Sequence, residues 1–172
     1  MSCNPDFSAY SRDNTPRFSL AGISSYARLV DVYDGDTMTC IIPFQGRYFQ
    51  FACRLNGIDT SELKNKNKKQ KELAYQARHY ALKYCCPEYN LDVDIPRKQI
   101  QDYLGRNMTT VWLQCYEFDK YGRVMIDLYK QPEQGVSLTQ HLLSHDLGYE
   151  YHGGTKLNCV ENSADISDGP PL

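Results

Sequence analysis

Residues 27–55 read ARLVDVYDGDTMTCIIPFQGRYFQFACRL, and the glycines in this stretch divide it into strands. Ala27 to Asp34 and Thr37 to Phe44 are rich in Val, Ile, Thr and Tyr, with the Gly35 turn between them. Tyr48 to Leu55 alternates strongly and follows the Gln45-Gly46 turn. Three β-prone runs joined by short glycine turns predict an antiparallel meander.

Downstream the period changes. Leu73, Ala77, Tyr80, Ala81 and Tyr84 fall at helical spacing, which predicts a helix over about Gln70 to Tyr84, ended before Pro87. Val111 to Phe118 and Arg123 to Tyr129 predict a second strand pair, joined by Asp119-Lys120-Tyr121-Gly122. Ser137 and Gln140 match a capping box, which predicts a second helix to about Asp146. Three strands, a helix, two strands and a helix define an α+β domain, most simply an antiparallel barrel with helices outside it. Residues 87–109, with Pro87 and Pro96, read as an irregular insertion holding at best one helical turn.

The flanks differ from this core. Residues 1–22 are polar, contain Pro5 and Pro16 and show no hydrophobic period, so they read as a loose arm. Residues 158–172 carry Glu161, Asp165 and Asp168 with no basic group, an acidic tail. One domain, residues 23–157, remains between them, and 172 residues are enough to bury a core without staples. No apolar run approaches the ~18 residues of a spanning helix, and the N-terminus lacks a signal-peptide pattern. Seven cysteines, none in a C-x-x-C pair, fit free thiols in a reducing compartment, so the expectation is an intracellular monomer without membrane contact.

Chemistry concentrates in three places. Asp34-Gly35-Asp36-Thr37 sets two carboxylates at a strand end; Arg54-Leu55-Asn56-Gly57-Ile58-Asp59-Thr60-Ser61-Glu62 joins a strand arginine to an acidic loop; Asp119-Lys120-Tyr121-Gly122-Arg123 is a turn followed by an arginine. Each alone reads as readily as a hairpin turn or a solvated salt-bridge cluster. Together they supply what phosphodiester hydrolysis requires. Asp36, Asp59 and the Thr60 carbonyl offer hard oxygen ligands for a divalent cation. Arg54 and Arg123 can hold the phosphoryl oxygens as charge develops on them. Glu62 can orient or deprotonate water.

Four motifs in register, VYDGDTMTCII, FACRLNGIDTSE, FDKYGRVMIDLY and LLSHDLGYEYHGGTK, make the chain resemble the staphylococcal-nuclease-like (thermonuclease) family over about Gly22 to Lys156. The resemblance implies a five-stranded OB-fold barrel with two or three packed helices. It implies a Ca2+-dependent phosphodiesterase that cleaves DNA and RNA to leave 3′-phosphate and 5′-hydroxyl ends. On this chain Asp36, Asp59 and Thr60 would then be the metal ligands, with Asp34 behind them. Glu62 would be the general base or water-orienting group, and Arg54 and Arg123 the phosphate-binding arginines. Lys120, Tyr121, Tyr149 and Tyr151 would contact the nucleotide. Ser61 stands where the family often has Pro, which predicts a looser Glu62 loop. The family's distribution also allows a virus-encoded protein.

The rival reading is a non-catalytic nucleic-acid or protein-binding module of the same fold, in which some metal and arginine positions are typically lost; all are retained here. Of the remaining features, His141 and His145 stand four apart but lack a zincin glutamate, so they read as surface or packing side chains. Trp112 reads as core, and Cys85-Cys86 as buried thiols. The net charge of −2 excludes only a uniformly basic binder, because Lys64 to Lys83 alone holds seven basic groups and one acid.

Overall fold

In the computed structural model, which describes residues 5–132 and 135–152, five strands close into a barrel. They are β1 (Ser24–Asp34), β2 (Thr37–Phe44), β3 (Arg47–Leu55), β5 (Thr109–Phe118) and β6 (Val124–Tyr129), in the order β1-β2-β3-β6-β5. Helices α1 (Lys68–Cys85), α2 (Arg97–Arg106) and α3 (Leu138–Leu143) pack outside it. Two short strands, β4 (Ile58–Asp59) and β7 (Tyr149–Glu150), pair separately. The fold is α+β and consistent with an OB-fold, as the sequence leads one to expect.

Alternation explains the interior. Leu29, Val32, Met38, Cys40, Ile42, Cys53, Leu55, Val111, Leu113, Cys115, Val124, Ile126 and Leu128 are all essentially inaccessible and meet inside the barrel. The same parity corrects the reading of Trp112. With Val111 and Leu113 facing in, Trp112 faces out, half-buried, its ring edge-on to Tyr26 at 5.1 Å. The five cysteines of the described residues, Cys85 and Cys86 included, are free, with only Cys86 partly accessible.

The barrel is not wholly antiparallel. β3 and β6 run parallel over Cys53↔Val124, Arg54↔Met125 and Leu55↔Ile126. That pairing needs a long crossover, here supplied by α1, α2 and β5. Its consequence is positional: the C-terminal end of β3, with Arg54, lies beside the start of β6, with Arg123.

Residues 97–106 form a ten-residue helix, so the irregular-insertion reading of 87–109 is corrected. Pro96 was weighed there as a breaker, yet it occupies the N-cap position, where a missing N–H costs nothing. Ile100 and Leu104 on its inner face are fully buried. Arg97 clamps the helix to β1: its guanidinium donates to the buried Asp31 carboxylate through Nε at 2.8 Å and through Nη2, and it stacks 4.8 Å over the Tyr33 ring. Gln101 adds a third donor at 3.1 Å.

The other ends follow local rules. Asn67 caps α1 by accepting the Gln70 N–H at 3.2 Å, and the Ser137/Gln140 capping box is formed at α3. The arm is anchored at its end. Leu20 is fully buried, Phe18 packs on Phe44 and Phe118, and Gly22 donates to the Cys115 carbonyl at 3.0 Å. The acidic tail lies outside the described residues.

If α2 is part of the core, Ile100→Ala lowers stability by about 3 kcal/mol, the cost of a cavity at a site that cannot collapse. Urea unfolding followed by circular dichroism measures this. An unchanged midpoint would detach residues 97–106 from the fold.

Candidate active site

Five loops and strand ends converge at one end of the barrel on a cleft of about 900 Å³. The β1–β2 turn contributes Asp34 and Asp36, and the end of β3 contributes Arg54. The loop after β4 brings Thr60 and Glu62, the β5–β6 turn Lys120, Tyr121 and Arg123, and the chain after β7 Tyr151. The sequence-predicted residues are thus brought together, with two exceptions in detail. Asp59 sits just behind Arg54 rather than on the cleft wall. Tyr149 does not line the cleft; its hydroxyl donates to Asp59 Oδ2 at 2.9 Å, so it holds an acid instead of offering a stacking face.

The centre is a buried ionic triad. Arg54 Nη1 lies 2.8 Å from Asp36 Oδ2, and Nη2 lies 2.5 Å from Asp59 Oδ1 and donates to the Ile58 carbonyl at 3.3 Å. Arg54 is on the outward parity of β3, but the β4 loop folds over it and leaves it 8% exposed. Burial alone would lower its pKa; the charges and hydrogen bonds of Asp36 and Asp59 outweigh that and raise it. Asp36 also accepts the Thr60 N–H at 3.1 Å and the Thr37 hydroxyl at 2.8 Å, so its orientation is set from three sides.

Asp34 stands behind this group. Burial pushes its pKa up to about 6; the Leu63 N–H at 3.3 Å pulls the other way, while Asp36 and Glu62 add to the rise. Gly35, between the two acids, is needed for room. A Cβ there would stand 2.6 Å from the Cβ of Ala77, so only glycine lets α1 lie against the turn.

Arg123 is aimed by its own turn. Asp119 receives its Nε at 2.7 Å, its backbone N–H at 2.9 Å and that of Tyr121 at 2.8 Å. Burial would raise the Asp119 pKa, but these donors prevail and lower it. Arg123 Nη1 also reaches Thr37 Oγ1 at 3.4 Å, and Lys120 and Arg123 lie 5.1 and 5.3 Å from the Tyr121 ring, which is exposed. An exposed aromatic face beside two cations suits a base stacked next to its phosphate.

Ser61 does not loosen its loop. Its buried hydroxyl donates to Gln70 Oε1 at 2.6 Å and ties the Glu62 segment to the first turn of α1. Gln70, Asp119 as a clamp, Tyr149 as a support and His152 on the cleft wall went unread in the sequence. Only Asp119-x-x-x-Arg123, opposite charges across a tight turn, carried a local signal.

The donor chemistry suits a hard divalent cation: two oriented carboxylates and Thr60, whose hydroxyl is buried with no partner. Among the described residues, no group of three or more His, Cys, Asp or Glu side chains is gathered as a metal cage. Arg54 is the cation these acids hold. No family model matches the chain, and no curated protein matches it.

Removing the guanidinium leaves two buried carboxylates facing each other. Arg54→Ala therefore costs about 3 kcal/mol or more in urea unfolding with chelator present. A loss below about 1 kcal/mol would mean that the acids find compensation elsewhere.

Proposed function

We propose that the protein is a metal-dependent nuclease of low sequence specificity, hydrolysing phosphodiesters of DNA, RNA or both, with a preference for unpaired strands. One observation carries this reading: Asp36, Arg54, Thr60, Glu62, Lys120, Tyr121, Arg123 and Tyr151, drawn from separate segments of the chain, line a single cleft. The resemblance of the four sequence motifs to staphylococcal-nuclease-like proteins supports the same reading, including Ca2+ as the metal.

Asp36, Asp59 and Thr60 would hold the cation, which when bound supplies charge neutralisation at the scissile phosphate. Glu62, exposed at the cleft edge, accepts a proton from the attacking water. Water adds to phosphorus, the bond to the 5′ oxygen breaks, and that oxygen takes a proton from solvent and leaves as the 5′-hydroxyl, while Glu62 returns its proton to solvent. Arg123, preoriented by Asp119, stabilises the charge that grows on the phosphoryl oxygens. Arg54 would serve the same oxygens if a cation took its place on Asp36 and Asp59. Lys120, Tyr121 and Tyr151 retain the nucleotide, and the exposed Lys64, Lys66, Lys68, Lys69 and Lys71 guide the backbone toward the cleft.

Purified protein incubated with single-stranded DNA or RNA cleaves it in calcium and not in chelator. Arg123→Ala lowers the rate by about two orders of magnitude or more, since the contact strengthens in the transition state. Calcium-independent retention of labelled strand without cleavage, at any pH tested, would support the binding-module reading instead.

A further inference from the structure

A second cleft, of about 640 Å³, opens between α1 and α3 and shares no lining residue with the candidate active site. Its walls carry His79, Tyr80, Lys83 and Tyr84 from α1, His141 from α3 and Lys130 from the end of β6. Among the described residues, no carboxylate lines it.

On exposed helix faces Lys68 meets Glu72 and Lys98 meets Asp102, whereas Lys69 and Lys71 of α1 make no ion pair among the described residues. Neither Lys83 nor Lys130 makes an ion pair among the described residues; Lys130 lies 4.9 Å over the Tyr84 ring instead. The bases crowd each other: after burial, Lys83 lowers the pKa of His79, and His145 and Lys130 lower that of His141. The Nδ1 of His79 is buried with no partner. Positive charge gathered without counter-charge is a standing cost that an anion would relieve.

The aromatic groups narrow the class of anion. The Tyr80 ring is partly exposed and lies 5.0 Å from the His145 ring and 6.1 Å from that of His141. The two histidine rings are 4.6 Å apart, and Tyr84 packs on His141 at 5.2 Å while its hydroxyl donates to the Val136 carbonyl at 2.6 Å. The wall is therefore built from both helices, a cluster of mutually tilted rings with the Tyr80 ring partly exposed, next to two ammonium groups without an ion pair among the described residues. A bare inorganic anion would use only the lysines. A nucleotide would use both features, and the volume falls within the ~300–1,000 Å³ usual for small-ligand sites.

We infer that the cleft between α1 and α3 is a second binding site that takes a nucleotide, with its phosphate on Lys83 and Lys130 and its base against the Tyr80 ring. The occupant is a free mononucleotide or one unit of a single strand; the recognising chemistry is the same. This inference does not rest on the nuclease reading, since the two clefts share no residue.

The test is an NMR titration of the labelled full chain in chelator, with adenosine 5′-monophosphate and, separately, a short oligodeoxyadenylate. Saturable shifts of His79, Tyr80, Lys83 and His141 with a dissociation constant below about 1 mM support the site. The double variant Lys83→Gln/Lys130→Gln weakens those shifts tenfold or more, leaving any shifts at Tyr121 and Arg123 unchanged. Response to the oligonucleotide with the mononucleotide silent assigns the cleft to a strand. Silence to both, an unaltered affinity in the double variant, or equal affinity for inorganic phosphate overturns the inference. A chain that cleaves nucleic acid but fails this titration would retain its active site and lose only the second one.

Discussion

The whole site depends on one guanidinium placed between two buried carboxylates. Arg54 bonds Asp36 on one arm and Asp59 on the other, with all three side chains at most a tenth exposed. A charge so far from water is tolerated only when it is paired and its donors are used. The triad therefore dictates geometry around it. It joins the β1–β2 turn to the β4 loop across the end of β3, and the short β4–β7 pair adds the Tyr149 hydroxyl on the far side of Asp59. Gly148 makes that crossing feasible, because a Cβ there would stand 2.7 Å from the Ile58 side chain and 2.8 Å from the Asp59 carbonyl.

The barrel's closure serves the same end. Parallel pairing of β3 with β6 is only three residues long, yet it decides which turn faces Arg54. An antiparallel partner at that edge would carry the Asp119–Arg123 turn to the opposite end of the barrel. Instead both arginines open on one cleft, already bonded to acids, Arg54 to Asp36 and Asp59 and Arg123 to Asp119. The acids do two things at once: they satisfy the guanidiniums without substrate, and they restrict their rotamers, which lowers the entropy lost when an anion arrives.

Much of this was legible in the sequence because it is local. Strand alternation, the glycine turns, the Ser137/Gln140 box and the clustering of Asp, Arg and Glu at strand ends each depend on neighbours within a few residues. What escaped is non-local. The outward face of Trp112 depends on which parity of β5 meets the core. The role of Tyr149 depends on a two-residue strand pairing with Asp59, ninety positions earlier. Ser61 looked like a loss of stiffness until Gln70, nine residues on, supplied its hydrogen bond. Helix α2 was hidden by a proline that can either break a helix or begin one; its docking is set by Asp31, on a strand more than sixty residues earlier.

Charge distribution joins these levels. A chain of net charge −2 can still offer a phosphate backbone a local welcome, because its acids and bases are segregated. Four of the 21 acids are held by arginines: Asp31 by Arg97, Asp36 and Asp59 by Arg54, Asp119 by Arg123. Close pairing cancels their field at a distance, whereas the lysines of residues 64–71 project from the surface and are mostly unpaired among the described residues. The field that an approaching polyanion meets is thus set by exposed lysines, and the field at the bottom of the cleft by buried pairs. Divided in this way, an acidic site can sit at the end of a basic approach without either cancelling the other.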